Sequence, residues 1–141
     1  MLIGLTGRNA GGKGEVAARL AERGFECHSL SDIIRDEVRS RGIEPSRANL
    51  IETGNDLRRR YGPAVLAERT LRKLARDHNY AIDSIRNPAE VEALRQGGHH
   101  FRLVCVDADP ETRFDRIRKR GRESDPTSFD AFKEKFNVTA V

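Results

Sequence analysis

Gly7-Arg-Asn-Ala-Gly-Gly-Lys-Gly14, close to the start of the chain, decides the fold. The apolar run Leu2–Thr6 precedes it and a helical pattern from Glu15 to Arg23 follows it, so it is a glycine-rich turn between a strand and a helix. A polyphosphate needs inward-pointing backbone N–H donors, no Cβ in the way, a helix N-terminus and one mobile cation. The spacing Gly-x-x-x-x-Gly-Lys therefore predicts a P-loop that binds ATP, with Lys13 at the outer phosphates.

The segment that follows the P-loop lysine departs from the general motif. That motif has Ser or Thr after the lysine, whose hydroxyl binds Mg²⁺, whereas this chain has Gly14 and then Glu15. The Glu15 carboxylate faces away, pairs with an arginine, or contacts Mg²⁺ through water. We assign ATP binding to the whole segment: Gly7, Arg8, Asn9, Ala10, Gly11, Gly12, Lys13, Gly14 and Glu15.

Composition describes a small, highly charged domain. The chain has 141 residues, of which 37% are hydrophobic and 34% charged, enough for one core and too apolar for a disordered chain. No apolar run approaches the ~18 residues that a membrane-spanning helix needs, and Met1 leads directly into the first strand. We therefore expect a cytoplasmic protein with no membrane partner. Cys27 and Cys105 lack metal-ligand spacing and are predicted to be buried free thiols in strands.

The formal net charge of +4 raises the question of nucleic-acid binding. Aromatic residues make up only 6% of the chain, Trp is absent, and the arginines are not collected in one tail. Nucleic acid is therefore an unlikely partner, since arginines directed at nucleotide phosphates explain the excess more simply.

Alternating strand and helix patterns predict an α/β domain of the three-layer P-loop NTPase fold with a parallel sheet. The predicted strands cover 2–6, 25–30, 80–83 and 101–107. The predicted helices cover about 12–23, 32–41 (with Ser31 as N-cap), 46–61, 63–77, 88–96 and 110–120, with a last one from 125. Such sheets usually add a fifth strand, and none follows Phe136. We expect either that the sequence is a fragment of a longer chain, or that a mobile stretch near residue 136 is missing from it.

Charged residues that end or follow the second, third and fourth predicted strands are candidates for binding Mg²⁺ or phosphate. Asp83 closes the third strand, where P-loop folds hold Mg²⁺, although Asp at a strand end is often only a turn former. Asp32 and Arg35 share one helical face, which suits either a surface ion pair or a site for an acceptor phosphate. Arg116 and Arg120 also share a face, at either a solvated basic helix end or the hinge of a lid over residues 121–125.

The motifs together resemble adenylate kinase and other nucleoside monophosphate kinases. The similarity rests on the P-loop, Ser31-Asp-Ile-Ile-Arg35, Asp83-Ser-Ile-Arg86 and Asp115-Arg-Ile-Arg-Lys-Arg120, and Ile3-Gly-Leu-Thr-Gly7 also resembles dephospho-coenzyme A kinase. A closer resemblance is to kinase-like P-loop proteins that stand alone in archaea or form the N-terminal domain of deoxycytidylate deaminase-like proteins. Asp83-Ser-Ile-Arg-Asn-Pro-Ala-Glu-Val-Glu92 and Arg120-Gly-Arg-Glu-Ser-Asp-Pro126 carry it.

This resemblance implies a role for each candidate. Arg35 and Arg86 would bind the acceptor phosphate, Arg116 and Arg120 the donor phosphates, and Asp32 would be the acceptor-side carboxylate or base. Lys13, Asp32 and Arg120 are then the catalytic candidates and Asp83 the metal candidate, with ATP and Mg²⁺ as cofactors.

One domain over 1–141 would carry an acceptor-site helical insertion at about 31–78 and a lid at about 116–126. The expected activity is phosphotransfer from ATP to a nucleoside monophosphate or dephospho-coenzyme A. The alternative is a nucleotide-sensing domain that regulates an attached deaminase domain, itself a possible C-terminal partner.

Overall fold

A parallel sheet forms the centre of the computed structural model, which describes residues 1–122 and 125–136. It contains four strands in the spatial order β2-β3-β1-β4: β1 (Leu2–Thr6), β2 (Glu26–Ser29), β3 (Tyr80–Asp83) and β4 (Phe101–Cys105). Non-sequential neighbours in a parallel sheet require helical crossovers. The α/β fold with a parallel sheet that the sequence predicted is confirmed.

Strand β1 lies between β3 and β4, and its register fixes where their ends meet. Leu2 is paired with Tyr80 on one side and with Phe101 on the other. The carboxyl ends of β1, β3 and β4 therefore lie along one edge of the sheet, around the point where the strand order reverses. In open α/β sheets that edge is where ligands bind.

The helices follow the strands in the order that the sequence patterns predicted. They are α1 (Lys13–Glu22), α2 (Leu30–Ser40), α3 (Arg47–Tyr61), α4 (Val65–Leu71), α5 (Pro88–Gln96), α6 (Pro110–Arg120) and α7 (Phe129–Phe136). Helix α5 begins as expected, because the Asn87 side chain accepts from the Glu90 N–H while the Glu90 carboxylate accepts from the Asn87 N–H. Pro88 then occupies its first turn.

The apolar core lies mainly between the sheet and α2 to α5. Its fully buried members include Leu2, Leu30, Leu57, Ile82 and Leu94, which come from strands and helices alike. No residue of α1 is buried. On α6 and α7, the rings of Phe114, Phe129 and Phe132 form a separate cluster with centroids 5.5 to 6.0 Å apart. Phe129 and Phe132 therefore pack α7 against α6, while the side chain of Phe136 lies outside the described part.

Several boundaries differ from the predictions. The N-cap of α2 is Ser29 and not Ser31, because Ser29 and Asp32 form a capping box. Helix α4 ends at Leu71 and not near Asp77, since bonds from Lys73 N to Thr70 O and from Leu74 N to Leu71 O tighten its last turn. The last helix begins at Phe129 and not at Asp125, because Ser128 caps it: the Ala131 N–H donates to Ser128 Oγ at 3.2 Å and the Phe132 N–H to the Ser128 carbonyl oxygen at 3.0 Å.

The prediction that both cysteines are buried is wrong. Cys27 and Cys105 are free thiols, as expected, but both are exposed. Each lies in an edge strand of the sheet, β2 or β4, where fewer neighbours cover the side chains. Leu103 and Val104 of β4 are likewise 37% and 38% exposed.

Candidate nucleotide and phosphate site

The predicted P-loop joins β1 to α1 and is packed tightly against the end of β4. Gly7 and Gly12 have φ angles of +131° and +112°, which favour glycine. A Cβ on Gly7 would lie 1.9 Å from the carbonyl oxygen of Val106, and one on Gly11 would lie 2.6 Å from the same atom. Glycine is therefore required here by close contact with neighbouring backbone as well as by conformation.

Lys13 is the first residue of α1, and its side chain folds back over the loop. Its Nζ donates to the carbonyl oxygens of Gly7 at 2.8 Å and Arg8 at 2.9 Å. Burial, and next the positive charge of Arg86, lower the pKa of Lys13, while the charges of Asp83 and Asp107 act in the opposite direction. The ammonium thus lies inside the loop, with charged groups from β3 and β4 near it. This geometry fits a polyphosphate.

Residues that follow β4 support the loop from one side. Arg116 Nη1 donates to the carbonyl oxygen of Ala10 at 3.0 Å, and Arg8 Nη1 lies 3.6 Å from Asp107 Oδ2. Arg113 is fully buried and its Nε donates to the carbonyl oxygen of Ala108 at 3.1 Å. Arg116, predicted to bind donor phosphates, is therefore beside the P-loop and bonded to its backbone.

The two unusual residues after Lys13 are both exposed. A Cβ on Gly14 would meet no atom within 4 Å. Of the three alternatives for Glu15, the structure shows an ion pair, with its Oε1 3.3 Å from Arg19 Nε one turn further along α1. Its predicted contact with the nucleotide remains a prediction.

Asp83 ends β3 and belongs to a chain of hydroxyl contacts. It accepts a hydrogen bond from Ser84 Oγ at 3.0 Å, and Ser84 Oγ accepts one from Ser29 Oγ at 2.8 Å. Within the described ranges, no group of three or more His, Cys, Asp or Glu could hold a metal. Mg²⁺ is commonly bound by one or two carboxylates together with substrate phosphates, so Asp83 fits this ion only in the presence of a nucleotide.

A cavity of about 260 Å³ lies between α2, α3 and the segment that joins β3 to α5. Three arginines line it, one from each of these elements: Arg35, Arg58 and Arg86. Its complete lining is Ser31, Ile34, Arg35, Leu50, Ile51, Gly54, Asn55, Arg58, Leu66, Ser84 and Arg86. The described lining contains no carboxylate, so the cavity suits an anion attached to an apolar group. The structure brings the predicted acceptor residues Arg35 and Arg86 together.

Asp32 is outside that lining and has two structural contacts. Its Oδ1 accepts from Arg35 Nη1 at 2.9 Å, and its Oδ2 accepts from the Ser29 N–H at 3.1 Å. It therefore caps α2 and holds Arg35. The catalytic role predicted for Asp32 remains a prediction.

Arg120 is held by a carboxylate in the predicted lid. Its Nε and Nη2 donate to the two oxygens of Asp125 at 2.9 and 2.6 Å. These hydrogen bonds, above other causes, lower the pKa of Asp125 to about 2. A donor phosphate would have to compete with Asp125 for Arg120. Residues 123 and 124 of the predicted lid lie outside the described part of the chain.

Sequence reasoning missed Arg58, Asn55 and Asp107. Ile51, Asn55 and Arg58 follow the helical spacing of one face of α3, and they line one wall of the cavity. The signal was present in Gly54, a mid-helix glycine whose Cβ would lie 2.9 Å from Ile34 Cδ1. A glycine in a helix interior lowers the stability of the helix, so its presence can indicate close packing at that position. It does not indicate which of the neighbouring arginines faces the cavity.

Comparison with known proteins places the chain in a family. The profile described as AAA domain matches residues 3–135. The chain belongs to this family. It is 36% identical to a UPF0200 protein of Hyperthermus butylicus over 96% of this chain and 73% of that protein. It is also 38% identical to a UPF0200 protein of Methanothrix thermoacetophila, over 88% of this chain and 68% of that protein. Both relatives are archaeal, which agrees with the archaeal part of the resemblance seen in the sequence.

Solved structures share the fold at low sequence identity. The crystal structure of TT1252 from Thermus thermophilus is similar with a TM-score of 0.60 and 21% identity, covering 96% of this chain and 78% of that one. The crystal structure of a sugar kinase from Janibacter sp. is similar with a TM-score of 0.54 and 18% identity. The match covers 92% of this chain and 73% of that one. The chain is thus a P-loop domain of kinase-like fold.

None of its described helices is long and apolar enough to span a membrane.

Proposed function

We propose that the protein transfers the γ-phosphate of ATP to a phosphorylated, nucleotide-like acceptor. One relationship carries the proposal. Arg86 lines the cavity that contains three arginines, and it follows β3, which pairs in the sheet with β1, the strand that leads into the P-loop. Its positive charge also lowers the pKa of Lys13, after the larger effect of burial. The cavity and the P-loop are therefore close enough to interact electrostatically, as transfer between two bound phosphates requires.

In this mechanism the chain contributes positioning and charge. Backbone N–H groups of Gly7 to Gly14 and the Lys13 ammonium would hold the donor phosphates, while Arg35 and Arg86 would hold the acceptor phosphate in line with them. Mg²⁺, when bound near Asp83 and the phosphates, would neutralise charge on the transferring group. An acceptor oxygen attacks the γ-phosphorus as its bond to the β–γ bridging oxygen breaks, leaving ADP.

The contacts of Asp32 favour a phosphate acceptor over a hydroxyl acceptor. A hydroxyl must lose a proton during the reaction, whereas the oxygen of a phosphate dianion carries none. Asp32, the carboxylate predicted to take that proton, caps α2 and pairs with Arg35 and is not part of the cavity lining. We therefore rank a nucleoside monophosphate above dephospho-coenzyme A as the acceptor.

A second candidate function is nucleotide sensing without turnover. Glu15 favours it, because neither Gly14 nor Glu15 supplies the hydroxyl that usually binds Mg²⁺ after the P-loop lysine. In that case bound nucleotide would stabilise the domain and regulate an attached one, such as the deaminase domain that the sequence resemblance implies.

ADP release distinguishes the two functions. The purified protein would be mixed with ATP, Mg²⁺ and one acceptor at a time: each nucleoside and deoxynucleoside monophosphate, and dephospho-coenzyme A. Acceptor-dependent turnover above about 1 s⁻¹, the low end for kinases, would establish the kinase. Stabilisation by ATP without turnover for any acceptor would reject the kinase and favour the sensor.

Substitution of Arg86 tests the acceptor assignment. Arg86→Ala is expected to raise the acceptor KM by at least about tenfold, the loss expected for one charge-assisted hydrogen bond, while ATP binding stays within about twofold. Arg95→Ala is the matched control, since Arg95 is exposed on α5 and pairs with Glu92. Loss of ATP binding in Arg86→Ala, with acceptor KM unchanged, would show that Arg86 serves the donor.

A further inference from the structure

We propose that Arg58 is a third phosphate-binding side chain of the cavity and that Glu90 positions it beside Arg86. This inference rests on the proposed function, because it concerns the same acceptor. Arg58 comes from α3, whereas Arg35 comes from α2 and Arg86 from the segment after β3. A phosphate bound by all three would therefore join three separate elements of the fold.

The hydrogen bonding of Arg58 is incomplete. Its side chain is 26% exposed, and its Nε is buried with no hydrogen-bond partner in the described part of the chain. Its Nη2 lies 3.4 Å from Glu90 Oε1, which is a long contact for a charged pair. Buried N–H donors normally have an acceptor. Because Nε is enclosed by protein, the Nη groups are the donors of Arg58 that can reach the cavity. Nη1 lies on the side of Gly54, which also lines the cavity, and has no hydrogen-bond partner in the described part of the chain. An oxygen of a phosphate bound in the cavity is the acceptor that fits Nη1.

Glu90 connects Arg58 to the segment that carries Arg86. It is fully buried, and its Oε2 accepts from the backbone N–H groups of Arg86 and Asn87 at 2.6 and 3.2 Å. Its Oε1 faces Arg58. One carboxylate therefore fixes the backbone of Arg86 and orients the guanidinium of Arg58, which makes Glu90 a positioning residue.

The remaining lining defines the chemical class of the ligand. Ile34, Leu50 and Leu66 provide apolar surface, and Asn55 provides an amide that can donate and accept hydrogen bonds. The volume of about 260 Å³ lies just below the usual range of roughly 300–1,000 Å³ for small-molecule sites. Three arginine forks beside apolar surface suit a phosphate dianion on a compact ring system. We therefore expect a nucleoside 5′-monophosphate, bound through its phosphate.

The test measures binding and turnover separately. The full chain would be titrated calorimetrically with each nucleoside 5′-monophosphate and with the matching nucleoside, and turnover would be measured with the same monophosphates. Arg58→Ala should weaken monophosphate binding at least tenfold and leave nucleoside binding unchanged. Arg59→Ala is the control, since this neighbouring arginine is outside the cavity lining and lies 3.7 Å from Asp56. It should bind both ligands like the wild type.

Arg58→Lys covers the case in which Arg58→Ala does not fold. Lysine keeps a positive charge near the buried Glu90 but lacks the two Nη donors and the planar fork of the guanidinium. It should fold and still lose most of the monophosphate affinity. Glu90→Gln should raise the acceptor KM while the ATP KM stays constant, because it disturbs Arg58 and Arg86 and not the P-loop.

The outcomes separate this inference from the proposed kinase. Binding of a monophosphate that depends on Arg58, without ADP release, would support Arg58 and reject the kinase. Turnover with a monophosphate KM unchanged by Arg58→Lys would support the kinase and overturn the role of Arg58. A wild-type protein that binds no nucleoside monophosphate would overturn the inference as well.

Discussion

Arg116 donates a hydrogen bond from Nη1 to the carbonyl oxygen of Ala10 at 3.0 Å, which ties helix α6 to the P-loop. Ala10 has a φ of +60°, a left-handed conformation that alanine adopts rarely. The contact thus supports the part of the loop where the backbone is strained.

Removal of this contact should weaken ATP binding more than it weakens the fold. Arg116→Ala leaves the Ala10 carbonyl without its charged donor, and we expect the Kd for ATP to rise roughly three- to tenfold, the effect of one modest hydrogen bond. Isothermal titration with ATP and Mg²⁺ measures the change. Lys119→Ala is the control, because Lys119 is exposed on α6 and pairs only with Asp115 among the described residues. Equal ATP affinity in both variants would show that the contact is dispensable.

Two glycines of the loop should respond oppositely to alanine. Gly7→Ala must place a Cβ 1.9 Å from the Val106 carbonyl oxygen at a φ of +131°, so we expect a loss of several °C in Tm. Gly14→Ala meets no atom within 4 Å and lies in the first turn of α1. It should raise Tm by about 1–3 °C, because alanine restricts the unfolded chain. Thermal unfolding without nucleotide measures both, and a stable Gly7→Ala would contradict the packing of the loop against Val106.

These glycines illustrate what the sequence could and could not predict. Strands β1 and β3 have the predicted limits, and the predicted P-loop lies between β1 and α1, because Gly, Lys and apolar runs specify local backbone geometry directly. The N-cap of α2 was misassigned because Ser29 and Ser31 both suit an N-cap, and only the three-dimensional arrangement shows which serine accepts the bond. The sheet order and the burial of the cysteines depend on contacts between distant segments, and periodicity does not encode those.

The candidate site also contains residues that the sequence could predict and residues that it could not. Arg35 and Arg86 could be predicted because each follows a strand end, where a parallel sheet collects its ligand-binding residues. Arg58 could not, because it belongs to the run Arg58-Arg59-Arg60 and only the packing of α3 against Ile34 and Glu90 selects the arginine that faces the cavity. Arg120 was predicted to contact phosphate. Its bond to Asp125, five residues later and beyond the end of α6, does not follow helical spacing and was not predicted.

The Arg120–Asp125 pair should make stability depend on pH in acid. Hydrogen bonds from Arg120 lower the pKa of Asp125 from 3.8 to about 2 in the folded protein. Because the unfolded carboxyl takes up its proton first, the pair stabilises the fold fully above about pH 4. That contribution is lost as the pH falls through 3.8 towards 2. Asp125→Asn should therefore lower the free energy of unfolding at pH 6.

The comparison of wild type with Asp125→Asn across pH isolates this effect. Urea unfolding at intervals from pH 6 to pH 2 should give a difference in unfolding free energy that is largest above pH 4 and shrinks as the pH approaches 2. Asp130→Asn is the matched control, because Asp130 is exposed and pairs only with Lys133 in the described part of the chain. Its difference from the wild type should stay small and nearly constant over the range. A difference for Asp125→Asn that persists undiminished at pH 2 would show that the carboxylate acts through packing and not through its charge.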